Sequence, residues 1–112
     1  MFVEHRFTLA AETVAYIRSL KPKFGFNGFG ESVYYRTYSR KKTDGTQECW
    51  ADTIIRVTEG IFSVRKDHYL KNRLAWNEEY WQQYALGFAE CAFHMMFLPP
   101  GRGLWACGSD FM

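Results

Sequence analysis

Three stretches of the chain carry apolar residues at helical spacing. Between Leu9 and Leu20, residues Ala10, Thr13, Val14, Ile17 and Leu20 share one face, with Thr8 placed to cap the start and Pro22 to stop propagation. From about Gln47 to Phe62, Trp50, Ile54, Val57 and Ile61 recur at intervals of four, three and four, behind Thr46 as a cap. The third pattern is the strongest: after Asn77, a good cap residue, Trp81, Tyr84, Ala85, Phe88, Cys91, Ala92 and Met95 form a broad apolar stripe. Pro99-Pro100 should end it, because proline has no amide hydrogen to donate and pushes its predecessor out of helical geometry.

The intervening segments lack this period. Gly25-Phe26-Asn27-Gly28-Phe29-Gly30 reads as an aromatic loop that docks on a neighbouring surface. Val33 to Arg40, with Tyr34, Tyr35 and Tyr38, is rich in aromatic and β-branched residues; it reads as a short extended element ending at the turn signal Thr43-Asp44-Gly45. Arg65 to Arg73 is a charged connector, largely covered by solvent. The expected fold is mainly α, with about three main helices and one short extended, hairpin-like element.

Composition narrows the functional classes. At 112 residues the chain is one domain at most, and 47% hydrophobic with 23% charged residues is the balance of a globular protein. A net charge of +2 does not demand a polyanionic partner. Ten Phe, seven Tyr and four Trp exceed what such a core needs, so part of that aromatic surface should meet another molecule or chain. The longest apolar run, Cys91 to Pro100, contains His94 and is too short to span a bilayer; Glu4 and Glu12 interrupt any signal peptide. A cytoplasmic protein is expected. Cys49, Cys91 and Cys107 form no C-x-x-C, which argues against a disulfide framework or a four-ligand zinc site and for buried reduced thiols.

Candidate chemistry is sparse. The Gly25–Gly30 loop matches neither the dinucleotide fingerprint nor the P-loop. Tyr34, Tyr35 and Tyr38 alternating with Arg36, Arg40, Lys41 and Lys42 are suited to stacking bases and neutralising phosphates, so a small module binding single-stranded nucleic acid or a protein partner is the alternative function. His5, His68 and His94 are scattered without acidic neighbours in sequence at ligand spacing, and no metal site is expected. There is no G-x-S-x-G, and no carboxylate pair stands out; Glu78 and Glu79 sit where they favour a helix dipole. The segment Leu98-Pro99-Pro100-Gly101-Arg102-Gly103-Leu104-Trp105 differs. Two prolines fix an extended path, two glycines expose backbone amides, and Arg102 offers a forked donor to a phosphate or carboxylate.

Several of these stretches resemble one family. Val33-Tyr34-Tyr35-Arg36-Thr37-Tyr38-Ser39-Arg40, then Glu48-Cys49-Trp50-Ala51-Asp52 leading to Arg56-Val57-Thr58-Glu59-Gly60, and above all Phe97 to Trp105 with Gly108-Ser109-Asp110, are similar in order and spacing to the opening part of adenosylcobalamin-dependent, class II ribonucleotide reductases, particularly the monomeric ribonucleoside-triphosphate type. The likeness runs from about Leu20 to Met112.

The resemblance implies a helical N-terminal region, residues 1–97, that packs on a ten-stranded α/β barrel supplied by the rest of the enzyme. Residues 98–112 form the loop and the start of the connection into that barrel. It implies reduction of ribonucleotides by a thiyl radical initiated by adenosylcobalamin, which the rest of the enzyme binds. Cys49, Cys91 and Cys107 lack the family's N-x-C-x-E flanks, so none is expected to be catalytic; the reducing and thiyl cysteines should lie on the remaining part, as continuation or separate chain. By position, Pro100, Gly101, Arg102 and Gly103 resemble the loop lining the nucleotide pocket and are the candidate substrate-binding residues. No residue is assigned to the allosteric site or to a metal. The abrupt end suggests a truncated or naturally split reductase, inactive alone.

Overall fold

The computed structural model describes residues 4–20, 39–42, 44–94 and 108. Among these lie three helices, α1 (Ala11–Ser19), α2 (Trp50–Lys71) and α3 (Glu78–Phe93). The longest, α2, packs along α3, and α1 lies against both. Ala85, Ala89 and Ala92 are buried on one face of α3, and such short side chains let a neighbouring helix come close. Trp50 Nε1 donates to the Phe93 carbonyl at 2.9 Å, tying the start of α2 to the end of α3. No helix among the described residues is long and apolar enough to cross a membrane.

The starts of the helices depart from the sequence pattern in two places. Thr8 does not cap α1; its carbonyl accepts from Gln82 Nε2 at 2.7 Å, while Gln82 Oε1 accepts the Ala10 amide at 2.9 Å, so a side chain of α3 satisfies the approach to α1. Thr46 does not cap α2. It donates to Asp44 within the turn, and Cys49 takes the cap position, its amide donating to Asp52 Oδ2 at 3.1 Å. Asn77 does cap α3, accepting the Tyr80 amide at 3.1 Å.

The charged connector expected from Arg65 to Arg73 is instead helix as far as Lys71. Tyr69 explains the extension: its ring meets Trp76 and Trp81 edge-on at 5.5 and 5.7 Å, and Asp67 pairs with Lys71 one turn on at 3.1 Å. The helix ends in a Schellman turn. The Arg73 amide donates to the Leu70 carbonyl and the Leu74 amide to the Tyr69 carbonyl, with Arg73 at φ 57 where glycine is the usual occupant.

Rings fill much of the bundle's interior. Phe62 meets Phe7, Trp81, Tyr84 and Phe88 at 5.6 to 6.1 Å, and Trp76 stacks on Trp81 at 5.1 Å. Part of the aromatic surplus is therefore internal. The rest is outside: Tyr80 and Tyr84 are 54% and 56% exposed, so Tyr84, placed in the stripe by its spacing, lies at its edge, and Ala89 and Phe93 are buried instead.

The N-terminal segment is held by a periodic match that the sequence pattern does not announce. The amides of His5, Phe7 and Leu9 donate to Asp67 Oδ1, Ser63 Oγ and Glu59 Oε2 at 3.2, 2.7 and 2.8 Å. Two residues of extended chain advance about 6.6 Å and four residues of helix about 6 Å, so alternate amides meet every fourth residue of α2. Phe7 and Leu9 are thereby buried in the core.

Candidate functional site

The polar end of the bundle begins at the extended element. Of Val33 to Arg40, only Ser39 and Arg40 are among the described residues. Lys41 pairs with Gln47 in an antiparallel bridge, and the Arg40 carbonyl accepts the Glu48 amide at 2.8 Å, so the expected hairpin-like element is present here. Asp44 and Gly45 make its turn, Gly45 at φ 89, which glycine adopts without strain.

This hairpin delivers Glu48 to α2. The Glu48 side chain is buried yet charged, and Arg56 answers it in a forked contact, Nε to Oε2 at 2.9 Å and Nη2 to Oε1 at 3.1 Å. Thr53 Oγ1 and the Arg40 amide each donate to Oε1 at 3.0 Å. A buried carboxylate with this many donors fixes the direction of the arginine opposite it.

A second carboxylate lies in the first turn of the helix. Asp52 accepts from Arg18 Nη1 at 2.5 Å, Lys42 Nζ at 2.9 Å and the Cys49 thiol at 3.2 Å, besides the Cys49 amide. Burial pushes its carboxyl up, but the hydrogen bonds from Lys42, the Cys49 amide and Arg18 outweigh that and hold it well below the usual carboxylate range. One side chain thus joins α1, the hairpin and α2. Cys49 is exposed, contrary to the expectation of a buried thiol, and Cys91 is half-buried.

Beside the forked pair is a cleft of about 190 Å³ lined by Arg6, Thr8, Arg56, Glu59, Ser63 and Gly108, among others. Burial pushes the Glu59 carboxyl up, against the hydrogen bond from the Leu9 amide. Gly108 lies against α2 here. It sits at φ 79, and a Cβ built on it would run into the Arg56 carbonyl and lie 2.9 Å from Arg56 Cγ.

The sequence-derived sites fall unevenly on this geometry. Pro100, Gly101, Arg102 and Gly103 lie outside the described residues, as do Tyr34, Tyr35, Tyr38 and Cys107. Of the basic run proposed to meet phosphates, Lys42 is balanced within the fold by Asp52. Glu4, His5 and Asp67 are brought together, their ligand atoms within 4.8 Å of one another; Glu4 adjoins His5 in sequence, and Asp67 comes from α2. Asp67 there already accepts from the His5 amide and Lys71, whose hydrogen bonds hold its carboxyl low despite the upward push of burial. Glu48 and Arg56 were visible only as part of a family-like motif. Their spacing of eight residues, on a cap-side loop and a helix, shows no pairing by itself.

Residues 9–109 match the ribonucleotide reductase alpha domain. The chain is 46% identical over 106 residues to the adenosylcobalamin-dependent ribonucleoside-triphosphate reductase of Euglena gracilis, and 41% identical over 104 residues to a probable enzyme of the same name from Dictyostelium discoideum. In each case 93% of this chain aligns, but it spans only 14% of the relative's length. A crystal structure of a B12-dependent class II ribonucleotide reductase superposes with a TM-score of 0.77 at 28% identity, again over 93% of this chain and 14% of that one. The chain therefore belongs to the ribonucleotide reductase alpha domain family, and its helices correspond to the helical N-terminal region of a class II enzyme.

Proposed function

We propose that this chain works as the N-terminal segment, or a split small subunit, of an adenosylcobalamin-dependent ribonucleoside-triphosphate reductase in the cytoplasm. The observation that carries the reading is the 46% identity to such an enzyme across 93% of the chain. The remaining catalytic part, joined as a continuation or separate chain, is the partner, and it holds the catalytic cysteines. Ribonucleotide is the substrate of the assembled enzyme.

Adenosylcobalamin, when bound, supplies the radical that initiates reduction. The rest of the enzyme binds it, and no residue of this chain is assigned to it. The chain's own contribution is binding. The amides of Gly101 and Gly103 and the guanidinium of Arg102 are suited to hold the substrate's phosphates or ribose, with Pro100 fixing the loop's path. The helical bundle provides the base on which that loop is carried, and its exposed Tyr80 and Tyr84 are suited to contact with the barrel.

Substitution of Arg102 by alanine in the assembled enzyme tests the binding role: the Michaelis constant for ribonucleotide should rise with a smaller change in turnover. An unchanged Michaelis constant would leave the segment as scaffold only.

A further inference from the structure

We propose that the groove between α2 and the first half of α3 is the surface on which the remaining catalytic part of the reductase docks, through an apolar segment that brings a carboxylate to Arg65. The inference rests on the functional reading above and adds to it which face of the bundle makes the contact and with what chemistry.

The groove consists of two clefts, of about 650 and 420 Å³, that share Ile61 and Arg65. Val64, His68 and Leu74 help to wall the first, and Tyr80, Tyr84 and Phe88 the second. Val64, Leu74, Tyr80 and Tyr84 are 39% to 56% exposed, so four large apolar side chains of this one face stand in water. Single apolar residues are ordinary on a surface, whereas a contiguous run along two helices marks an interface.

Arg65 borders both clefts. Its guanidinium lies over the Trp81 ring at 5.2 Å, which takes one face of the cation and leaves the N–H groups on its rim for another partner. No carboxylate among the described residues pairs with Arg65, and none stands among the described residues that line either cleft. Nearby lysines differ: Lys71 is answered by Asp67 at 3.1 Å, and Lys66 has Glu78 at 3.9 Å. A cation between apolar walls gains most from a carboxylate that arrives with apolar surface, because covering the walls removes the water that would screen the pair. A wholly apolar occupant would bury Arg65 without a counter-charge.

The catalytic part is the occupant of matching scale, since this chain spans only 14% of the length of its relatives. A second copy of this chain matches less well. Two-fold pairing of this face would turn Arg65 toward Arg65, with no carboxylate from either groove between them.

The test is Arg65→Lys in the assembled reductase. It keeps the charge and supplies a primary amine, which a carbodiimide condenses with a touching carboxylate to an amide. Peptide mass mapping should show residue 65 joined to an Asp or Glu peptide of the catalytic part, with the Lys71–Asp67 pair as internal control. A link from residue 65 to this chain or to a second copy of it, or no link while Lys71 joins Asp67, overturns the proposal. Val64→Asp gives a reading without the reagent: it puts a charge on the apolar wall and should raise about tenfold or more the concentration of this chain that half-saturates the catalytic part. Leu70→Asp should leave that concentration unchanged, because Leu70 is as exposed as Val64 but lies two and a half turns past Ile61, on the opposite side of α2. An unmoved value in folded Val64→Asp overturns the proposal and leaves the functional reading intact. Failure of the wild-type chain to join the catalytic part overturns both.

Discussion

The two ends of the helical bundle are built on different physics. Around Phe62 and Trp81, rings from the N-terminal segment, α2 and α3 pack together with little directional requirement, and stability there follows buried area. Around Glu48 and Asp52, three separate pieces of chain converge on two carboxylates, each with several donors. The aromatic end makes the bundle stable, whereas the polar end defines where the hairpin and α1 sit relative to α2.

Truncation of the aromatic end should have the largest effect on stability. Phe62→Ala removes a ring with four aromatic neighbours and leaves a cavity, and should cost about 3–5 kcal/mol in denaturant unfolding. Its effect on the Michaelis constant of the assembled enzyme should be small as long as the protein stays folded.

Glu48→Ala should come next, at about 3 kcal/mol, because it strands the Arg56 guanidinium, whose side chain is 12% exposed, without its carboxylate. Unlike the loss of Phe62, it should also release the hairpin from α2, read as faster hydrogen exchange at the Arg40 amide, which donates to Glu48. A variant that lowers stability with that exchange unmoved would show that the two ends are not distinct in role.

Asp52 separates the two ends by pH. Its native carboxyl is held below its unfolded value, so the stability it contributes is fully present above about pH 4 and is lost as the pH falls toward the depressed native value. Asp52→Asn should cost about 2 kcal/mol at neutral pH and should flatten the acid limb of the stability profile, as read from urea midpoints between about pH 5 and 2. A parallel acid limb in the variant would mean that other carboxylates dominate. Phe62→Ala, by contrast, should shift the whole profile down without changing its shape.

The smallest expected effect lies at the end of α2. Arg73 occupies a left-handed position with φ 57, and Arg73→Gly should stabilise the chain by about 0.5–1 kcal/mol. A destabilised variant would mean that the arginine side chain makes up for its backbone strain.

This position also illustrates which parts of the fold were legible in the sequence. Local signals read correctly: the apolar period of α3, its Asn77 cap and the Asp44-Gly45 turn all depend on residues within a few positions of each other. The end of α2 did not, because the glycine that would mark it is replaced by Arg73 and because Tyr69 gains its helix from distant Trp76 and Trp81. The caps expected at Thr8 and Thr46 failed for a similar reason, since Gln82 and Asp52 offered better partners. Pairings across the chain were invisible as pairings. Glu48 with Arg56, Asp52 with Arg18, and the alternate amides of the N-terminal segment with every fourth residue of α2 require the fold before they can be seen. The substrate loop was legible only through its chemistry and its family resemblance.

The most direct test of the functional account is formation of deoxyribonucleotide from ribonucleotide by this chain combined with the remaining catalytic part of the reductase, with each component and adenosylcobalamin omitted in turn. The account predicts product only when the chain, the catalytic part and adenosylcobalamin are all present. Full activity of the catalytic part without residues 1–112, or no activity with every component present, would contradict it.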